Sequence, residues 1–160
     1  MRYKTVPGPA DAETLAAVHG ALPLVPEAVA DCCTRVVERT EISRREDARE
    51  WIAFLQALEL AEKTPRGYRR VREDPQAASL GEKFVEGVFG AEELRDALAE
   101  AESLTVAEAF ERLWPSVPAW ERERHADPEC VWTGRVRRLL AWSVVFGLAV
   151  RDGEAYRASR

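Results

Sequence analysis

Two stretches of the chain share one pattern of hydrophobic and polar residues. In each, hydrophobic residues at helical spacing form one inner face, and two short strand-like runs joined by a turn follow. The first stretch turns at residues 64–67 and the second at Asp152-Gly153, a strong hairpin signal. Each stretch therefore predicts a helix followed by a hairpin. The residues on the predicted inner faces are Ala48, Trp51, Ile52, Leu55 and Leu58 in the first helix, and Trp132, Val136, Leu139, Leu140 and Ser143 in the second.

The two stretches also align as sequences at an offset of 88 residues, which brings 48–68 onto 136–156 without a gap. The aromatic residue Phe54 then matches Trp142. The shared order of helix and hairpin makes a duplication the simplest interpretation. The identical pairs are Arg49 with Arg137, Ala53 with Ala141, Leu60 with Leu148, Ala61 with Ala149, Tyr68 with Tyr156 and Arg69 with Arg157.

Shorter helical patterns precede the helix and hairpin of the first half. Asp11 can cap one helix and Pro26 can open a second, which places Cys32 and Cys33 on its inner face. The run Ser43-Arg44-Arg45-Glu46 is a capping box, which predicts the start of the third helix. The first half is therefore predicted to contain three helices and a hairpin.

The second half has a similar order with an irregular insertion. Residues 84–102 are predicted to be mostly helical, and Thr105-Val106-Ala107-Glu108 is a second capping box. The Trp- and Pro-rich run 114–118 ends that helix, residues 119–124 can form an extra turn, and Asp127-Pro128 begins the last long helix. A short polar junction at 74–79 joins the two halves.

Three helices followed by a two-stranded wing resemble the winged helix-turn-helix, here as a tandem pair covering nearly the whole chain. The residues that carry the resemblance are 43–71 and 132–157. The resemblance implies a mainly α fold with short β-hairpins, with one winged-helix domain at 1–73 and a second, containing the insertion, at 74–160. Winged-helix families commonly place the third helix in the DNA major groove and the wing over the backbone. Other tandem pairs act as protein scaffolds, so the fold leaves both functions open.

Composition adds that the chain is globular, since 46% of its residues are hydrophobic and 32% are charged. No apolar run is long enough to cross a membrane, and residues 1–7 lack the apolar core of a signal peptide, so we expect a cytoplasmic protein without a membrane partner. The net charge of −5 disfavours nucleic-acid binding over the whole surface. The charge is uneven, however: −2 over 1–42, +2 over 43–73, −9 over 74–130 and +4 over 131–160.

Basic residues of the third helix and hairpin in each half are candidates for contact with double-stranded DNA, because guanidinium and ammonium groups bind phosphates. In the first half, Glu46 and Glu50 lie beside two of these arginines and oppose such contact. The better candidate is the helix of the second half, because no acidic residue lies within 131–150. The candidates are Arg45, Arg49, Lys63, Arg66, Arg69 and Arg70 in the first half and Arg135, Arg137 and Arg138 in the second.

Trp114, Trp120 and Trp142 are candidates for binding a protein partner or a second copy of the chain. Trp114 and Trp120 lie in the insertion, and Trp142 shares a predicted helix flank with two of the arginines. Packing is the favoured alternative for all three: Trp114 and Trp120 can fill the junction between the two small domains, and Phe54 occupies the position that matches Trp142. The acidic residues of 92–102 are either a solvated helix face or a site for a basic partner.

Enzymatic and metal chemistry find little support in the sequence. His125 and Cys130 are close together, but no CxxC or HExxH spacing accompanies them, and His19 lies in a different predicted helix. No glycine-rich phosphate loop or GxSxG elbow is present. We therefore expect a protein that is not an enzyme and that needs no metal or cofactor.

Overall fold

A computed structural model describes residues 5–76 and 79–159. These residues form two compact units, the first ending at Val88 and the second beginning at Phe89. The fold is mainly helical with two small antiparallel sheets, as the sequence predicts. No helix within the described ranges is both long and apolar enough to cross a membrane.

The first unit contains three helices, a hairpin and a fourth helix. Aromatic rings pack together in its core. Phe54 contacts Trp51 and Phe84 edge to face, at centroid distances of 6.2 and 6.3 Å. A single antiparallel bridge between Glu27 and Tyr68 adds a third strand position beside the hairpin. The elements are α1 (Ala12–Ala21), α2 (Val29–Arg39), α3 (Arg45–Ala57), β1 (Ala61–Thr64), β2 (Gly67–Arg70) and α4 (Leu80–Gly87).

The second unit repeats this order with an insertion before its long helix. Its three strands lie in the order β3-β5-β4, so the short strand that precedes the second helix pairs with the last strand of the hairpin. Trp132 and Leu140 are buried in its core. The elements are α5 (Ala91–Glu100), β3 (Leu104–Thr105), α6 (Val106–Leu113), a 3-10 turn (Trp114–Ser116), α7 (Ala119–Glu123), α8 (Pro128–Val145), β4 (Ala149–Asp152) and β5 (Ala155–Ala158).

The two units match at the offset of 88 residues down to single hydrogen bonds. Strands β1 and β2 map onto β4 and β5 residue for residue, and α3 and α8 end at matching positions. The amide of Leu60 donates to the carbonyl of Leu55 at 2.8 Å, as Leu148 donates to Ser143 at 2.8 Å. The left-handed residue after the helix is Glu59 (φ 60°) in one unit and Gly147 (φ 76°) in the other. The duplicated helix and hairpin predicted from the sequence are therefore present.

The predicted helix caps are confirmed at three places and wrong at a fourth. The capping box of Thr105 and Glu108 is formed, and the side chains of Asp11 and Asp127 accept bonds from the first turns of α1 and α8. The predicted box at Ser43 is absent. Helix α3 begins at Arg45 with no side-chain cap, because the Glu46 carboxylate pairs with Arg44 instead of reaching back to the backbone of residue 43.

Other boundaries differ from those the sequence predicted. Helix α2 begins at Val29 instead of at Pro26, because Glu27 is drawn into the bridge with Tyr68. The helical stretch 84–102 is two helices, separated by Gly90 in a left-handed conformation (φ 93°). The extra turn at 119–124 is present as α7.

The division into winged-helix domains at 1–73 and 74–160 stays a prediction. Helix α4 groups with the first compact unit and packs on α3, where a Cβ on Gly87 would overlap the carbonyl of Ala57. Of the predicted junction at 74–79, residues 77 and 78 lie outside the described part of the chain, as do residues 1–4 and 160. The described part of the first compact unit therefore contains four helices and a hairpin, which is one helix more than the winged-helix pattern requires.

Candidate nucleic-acid interface

Helix α8 presents two of the three arginines that the sequence singled out. Arg137 and Arg138 are exposed, whereas Arg135 is 17% exposed at its side chain and points back into the unit. Its Nη1 donates to the Glu121 carboxylate of α7 at 2.8 Å, and its guanidinium lies 4.6 Å from the ring centroid of Trp132. The prediction that Arg135 contacts DNA therefore conflicts with its position, because both its charge and its flat face are engaged inside the protein.

Glu121 is the reason why Arg135 turns inward. Its side chain is fully buried, and Oε1 lies 3.0 Å from Nε2 of His125 and 2.8 Å from Arg135. Arg124 adds a more distant ion pair at 3.9 Å. A buried carboxylate requires compensating charge or hydrogen bonds, and the bond from Arg135 to Glu121 ties the insertion to α8. The sequence signal was the i, i+4 spacing of Glu121 and His125, but nothing in it indicated that the carboxylate is buried.

A groove of about 430 Å³ lies between the start of α6, the outer face of α8 and the hairpin of the second unit. Two guanidinium groups line it, those of Arg137 and Arg151, together with the ring of Tyr156. Arg151 is held by a bond from Nε to the carbonyl of Gly153 at 3.0 Å, and its charge lies 5.9 Å from the Tyr156 ring centroid. The sequence reasoning did not single out Arg151. The remaining lining residues are Thr105, Val106, Ala107, Ala141 and Glu154.

The third helix of the first unit has a different surface. Arg49, which matches Arg137, is exposed, and its side chain has no ion pair or hydrogen bond among the described residues. Arg45 is also exposed, but its guanidinium crosses to α2 and donates to the carbonyl of Ala30 at 2.9 Å and to the hydroxyl of Thr34 at 2.8 Å. Of the two arginines predicted on this helix, Arg49 is therefore the one whose side chain has no bond to another described residue.

The hairpin of the first unit is basic in sequence but partly neutralised in the structure. Arg69 forms a two-pronged contact with Glu62 on the neighbouring strand, at 2.9 and 2.6 Å. Arg70 is half-buried, and its Nε has no hydrogen-bond partner in the described structure. Lys63 and Arg66 are exposed, and neither side chain has an ion pair among the described residues. Of the four residues predicted to contact DNA from this hairpin, Lys63 and Arg66 are therefore the more available.

Matching positions of α3 and α8 differ in charge. The first unit has Glu46, Asp47 and Glu50, where the second has Gly134, Arg135 and Arg138. Arg135 is paired with Glu121, so Arg137 and Arg138 are the exposed arginines of α8. The second unit therefore has the more positive helix, as the sequence predicted. Two exposed arginines contribute to this surface instead of the three that were predicted.

The candidate partner-binding tryptophans lie in three different environments. Trp142 is fully buried and stacks on Phe146 at 5.4 Å, so it is a packing residue and is not accessible to a partner. Trp114 is half-buried against Phe110, with the guanidinium of Arg122 4.2 Å above its ring. Trp120 is 58% exposed on α7. Of the three, Trp120 is the one whose position fits an interaction surface.

The cysteines and histidines do not come together as a metal site. No group of three or more potential ligands with suitable geometry occurs in residues 5–76 and 79–159. His125 faces Glu121, Cys130 is exposed at the start of α8, and Cys32 and Cys33 are buried in α2.

In this arrangement each unit has helices followed by a hairpin, and its second helix is preceded by a single bridge in the first unit and by a short strand in the second, which defines a tandem winged-helix protein. The family model of the halobacterial double winged helix domain matches residues 1–160, and the chain belongs to that family. No curated protein and no solved structure matched the chain in the same comparisons.

Proposed function

We propose that the protein associates with double-stranded DNA through its second unit, as a non-enzymatic component of transcription regulation or chromosome organisation. The observation that carries the proposal is the exposed pair Arg137 and Arg138 on α8, beside a groove that Arg151 also lines. A winged-helix family suggests a DNA-binding or regulatory role, and this surface supplies the cations that phosphates require.

The first unit contributes less to the proposed interface. Its third helix is charged with both signs, since Glu46, Asp47 and Glu50 accompany Arg45 and Arg49. Carboxylates at that distance from a phosphate backbone reduce the attraction, and one of the two arginines is already bonded to α2. We therefore assign it an auxiliary role, in which Arg49, Lys63 and Arg66 add a weaker electrostatic contact.

Fluorescence anisotropy with a labelled duplex tests this proposal. We expect the double variant Arg137→Ala/Arg138→Ala to bind more weakly and to show a salt slope shallower by about two, because each lost phosphate contact removes about one unit. Affinity for non-specific sequence is expected to be micromolar or weaker at physiological salt. No binding by the native chain at about 50 mM salt, where such contacts are strong, would contradict the proposal.

A charge-matched control separates the site from net charge. The variant Arg44→Ala/Arg69→Ala also removes two positive charges, but both arginines are ion-paired in the first unit, with Glu46 and Glu62. It should bind nearly as well as the native chain. Equal loss in the two variants would mean that overall charge, and not the α8 surface, determines binding.

A second candidate function is that of a protein-protein scaffold. The observation that favours it is the exposure of Trp120 on α7, since large aromatic residues at a surface are typical of interface centres. A second copy of the chain is the simplest partner to examine. Sedimentation of the native chain and of Trp120→Ala tests it: a concentration-dependent dimer that the variant lacks would support the scaffold, and two monomers would not.

A further inference from the structure

We propose that the groove of the second unit binds one phosphate group. The inference deepens the proposed DNA association and rests on it for the source of the phosphate.

The first step is that the second-unit groove has the chemistry of an oxyanion site. Arg137 and Arg151 bring two guanidinium groups, and two further lining residues, Val106 and Ala107, are the first two residues of α6. The amides in the first turn of a helix have no intrahelical acceptor and can donate to an anion. Its volume of about 430 Å³ falls within the usual range for small-ligand sites.

The second step concerns the acidic residues near the groove. Glu108 does not compete for the cations, because its carboxylate accepts from the Thr105 amide at 3.0 Å in the capping box. Glu154 lines the groove and is exposed on the hairpin. With two arginines and one glutamate, the charged side chains that line the groove leave a net positive charge. Glu154 therefore weakens anion binding without abolishing it.

The test uses inorganic phosphate as the probe and backbone amide shifts from heteronuclear NMR on the full chain as the readout. We expect saturable shifts at 105–107, 137 and 151. The variant Arg137→Ala/Arg151→Ala should reduce affinity at least tenfold, and Glu154→Gln should raise it about twofold to fivefold, because a repelling charge is removed. Shifts that spread over both units without saturating, or that persist in the double variant, would overturn the site.

Competition with DNA identifies the source of the phosphate. Displacement of labelled duplex by inorganic phosphate, at constant ionic strength set with chloride, indicates that a DNA phosphodiester occupies the groove. Local phosphate binding without displacement indicates a free phosphate ester, and the DNA proposal is then judged by its own anisotropy test. DNA binding that is unaffected by Arg151→Ala, with no local phosphate shifts, would reject the groove while leaving DNA association standing.

Discussion

Arg135 of α8 donates a hydrogen bond to Glu121 of α7 at 2.8 Å, and the carboxylate that it reaches is fully buried. Removing one partner of a buried ion pair leaves an uncompensated charge inside the protein. We expect Arg135→Ala to lower the free energy of unfolding by about 3 kcal/mol or more, measured by urea denaturation.

Arg137, two positions further along α8, provides the control for that prediction. Arg137→Ala removes the same side chain from an exposed position of the same helix and should change stability by less than about 0.5 kcal/mol. If both variants lose the same stability, the loss reflects helix propensity or net charge, and the pair with Glu121 has no special importance.

A second prediction concerns the hairpin of the first unit. Gly67 adopts φ +126°, and a Cβ there would overlap the carbonyl of Glu27, the residue that forms the bridge to β2. Gly67→Ala should therefore cost more than about 3 kcal/mol, the upper range for backbone strain alone. Gly153→Ala in the other hairpin has open space around its Cβ and a φ of +62°, so it should cost about 1 kcal/mol. Thermal or urea unfolding of both variants checks the order, and equal losses would contradict it.

A third prediction is a loss of stability in mild acid through His19. Its Nε2 donates to the carbonyl of Val71 at 2.8 Å, which fixes the neutral tautomer, and burial, with a contribution from the charge of Arg70, lowers the pKa of His19 below its usual 6.5. The unfolded chain then binds the proton more readily than the folded chain. The free energy of unfolding should be steady between about pH 7 and pH 9 and fall as the pH drops below 6.5.

The variant His19→Gln isolates that contribution. Glutamine does not titrate, so the difference in stability between the native chain and the variant should shrink as the pH is lowered through 6.5. A difference that stays constant from pH 7.5 to 5 would show that other groups cause the acid sensitivity.

A fourth prediction concerns the reactivity of the three thiols. Burial raises the pKa of the Cys32 thiol to about 11, with a further contribution from Glu27, and Cys33 is also buried. Only the exposed Cys130 should react with a disulfide reagent at pH 8 in the folded protein, whereas all three should react after denaturation. Cys130→Ser should abolish the native reaction, and rapid labelling of a second thiol would contradict the buried positions of the pair.

The same thiol predicts a loss of stability in alkali. Because the pKa of Cys32 is raised by folding, the folded chain holds its proton at a pH where the unfolded chain has released it. Its contribution to stability is therefore complete below about pH 9 and is lost as the pH rises towards 11. Comparison with Cys32→Ala by urea unfolding across this range measures the effect.

The sequence predicted those parts of the fold that depend on local spacing. The caps at Asp11, Thr105 and Asp127 and both hairpins follow from residues within a few positions of one another. The strand pairing of Glu27 with Tyr68 was missed, since a single bridge leaves no alternating pattern to detect. The two-residue strand β3 was missed for the same reason.

The site was predicted less well than the fold, because charge in a sequence does not indicate burial. Arg135 and Arg137 are two positions apart on one helix, yet one is bonded to a buried carboxylate fourteen residues upstream and the other is open to solvent. Arg45 was likewise expected to face DNA and instead bonds α2. Arg151 was overlooked, since a lone arginine in a hairpin has no local feature that marks a groove.

The matching hydrogen bonds at the junction of helix and hairpin have a consequence for how the two halves of the gene could diverge. From 54 to 71 and from 142 to 159 the backbone repeats itself, while Glu50 and Arg138 at matching positions have opposite charge. A duplicated backbone that tolerates such reversals of side-chain charge allows one half to keep its original surface while the other acquires a new specificity. Exchanging 61–70 with 149–158 should accordingly give chimeras that fold, and their altered wings would reveal how much of each half's specialisation lies in side chains alone.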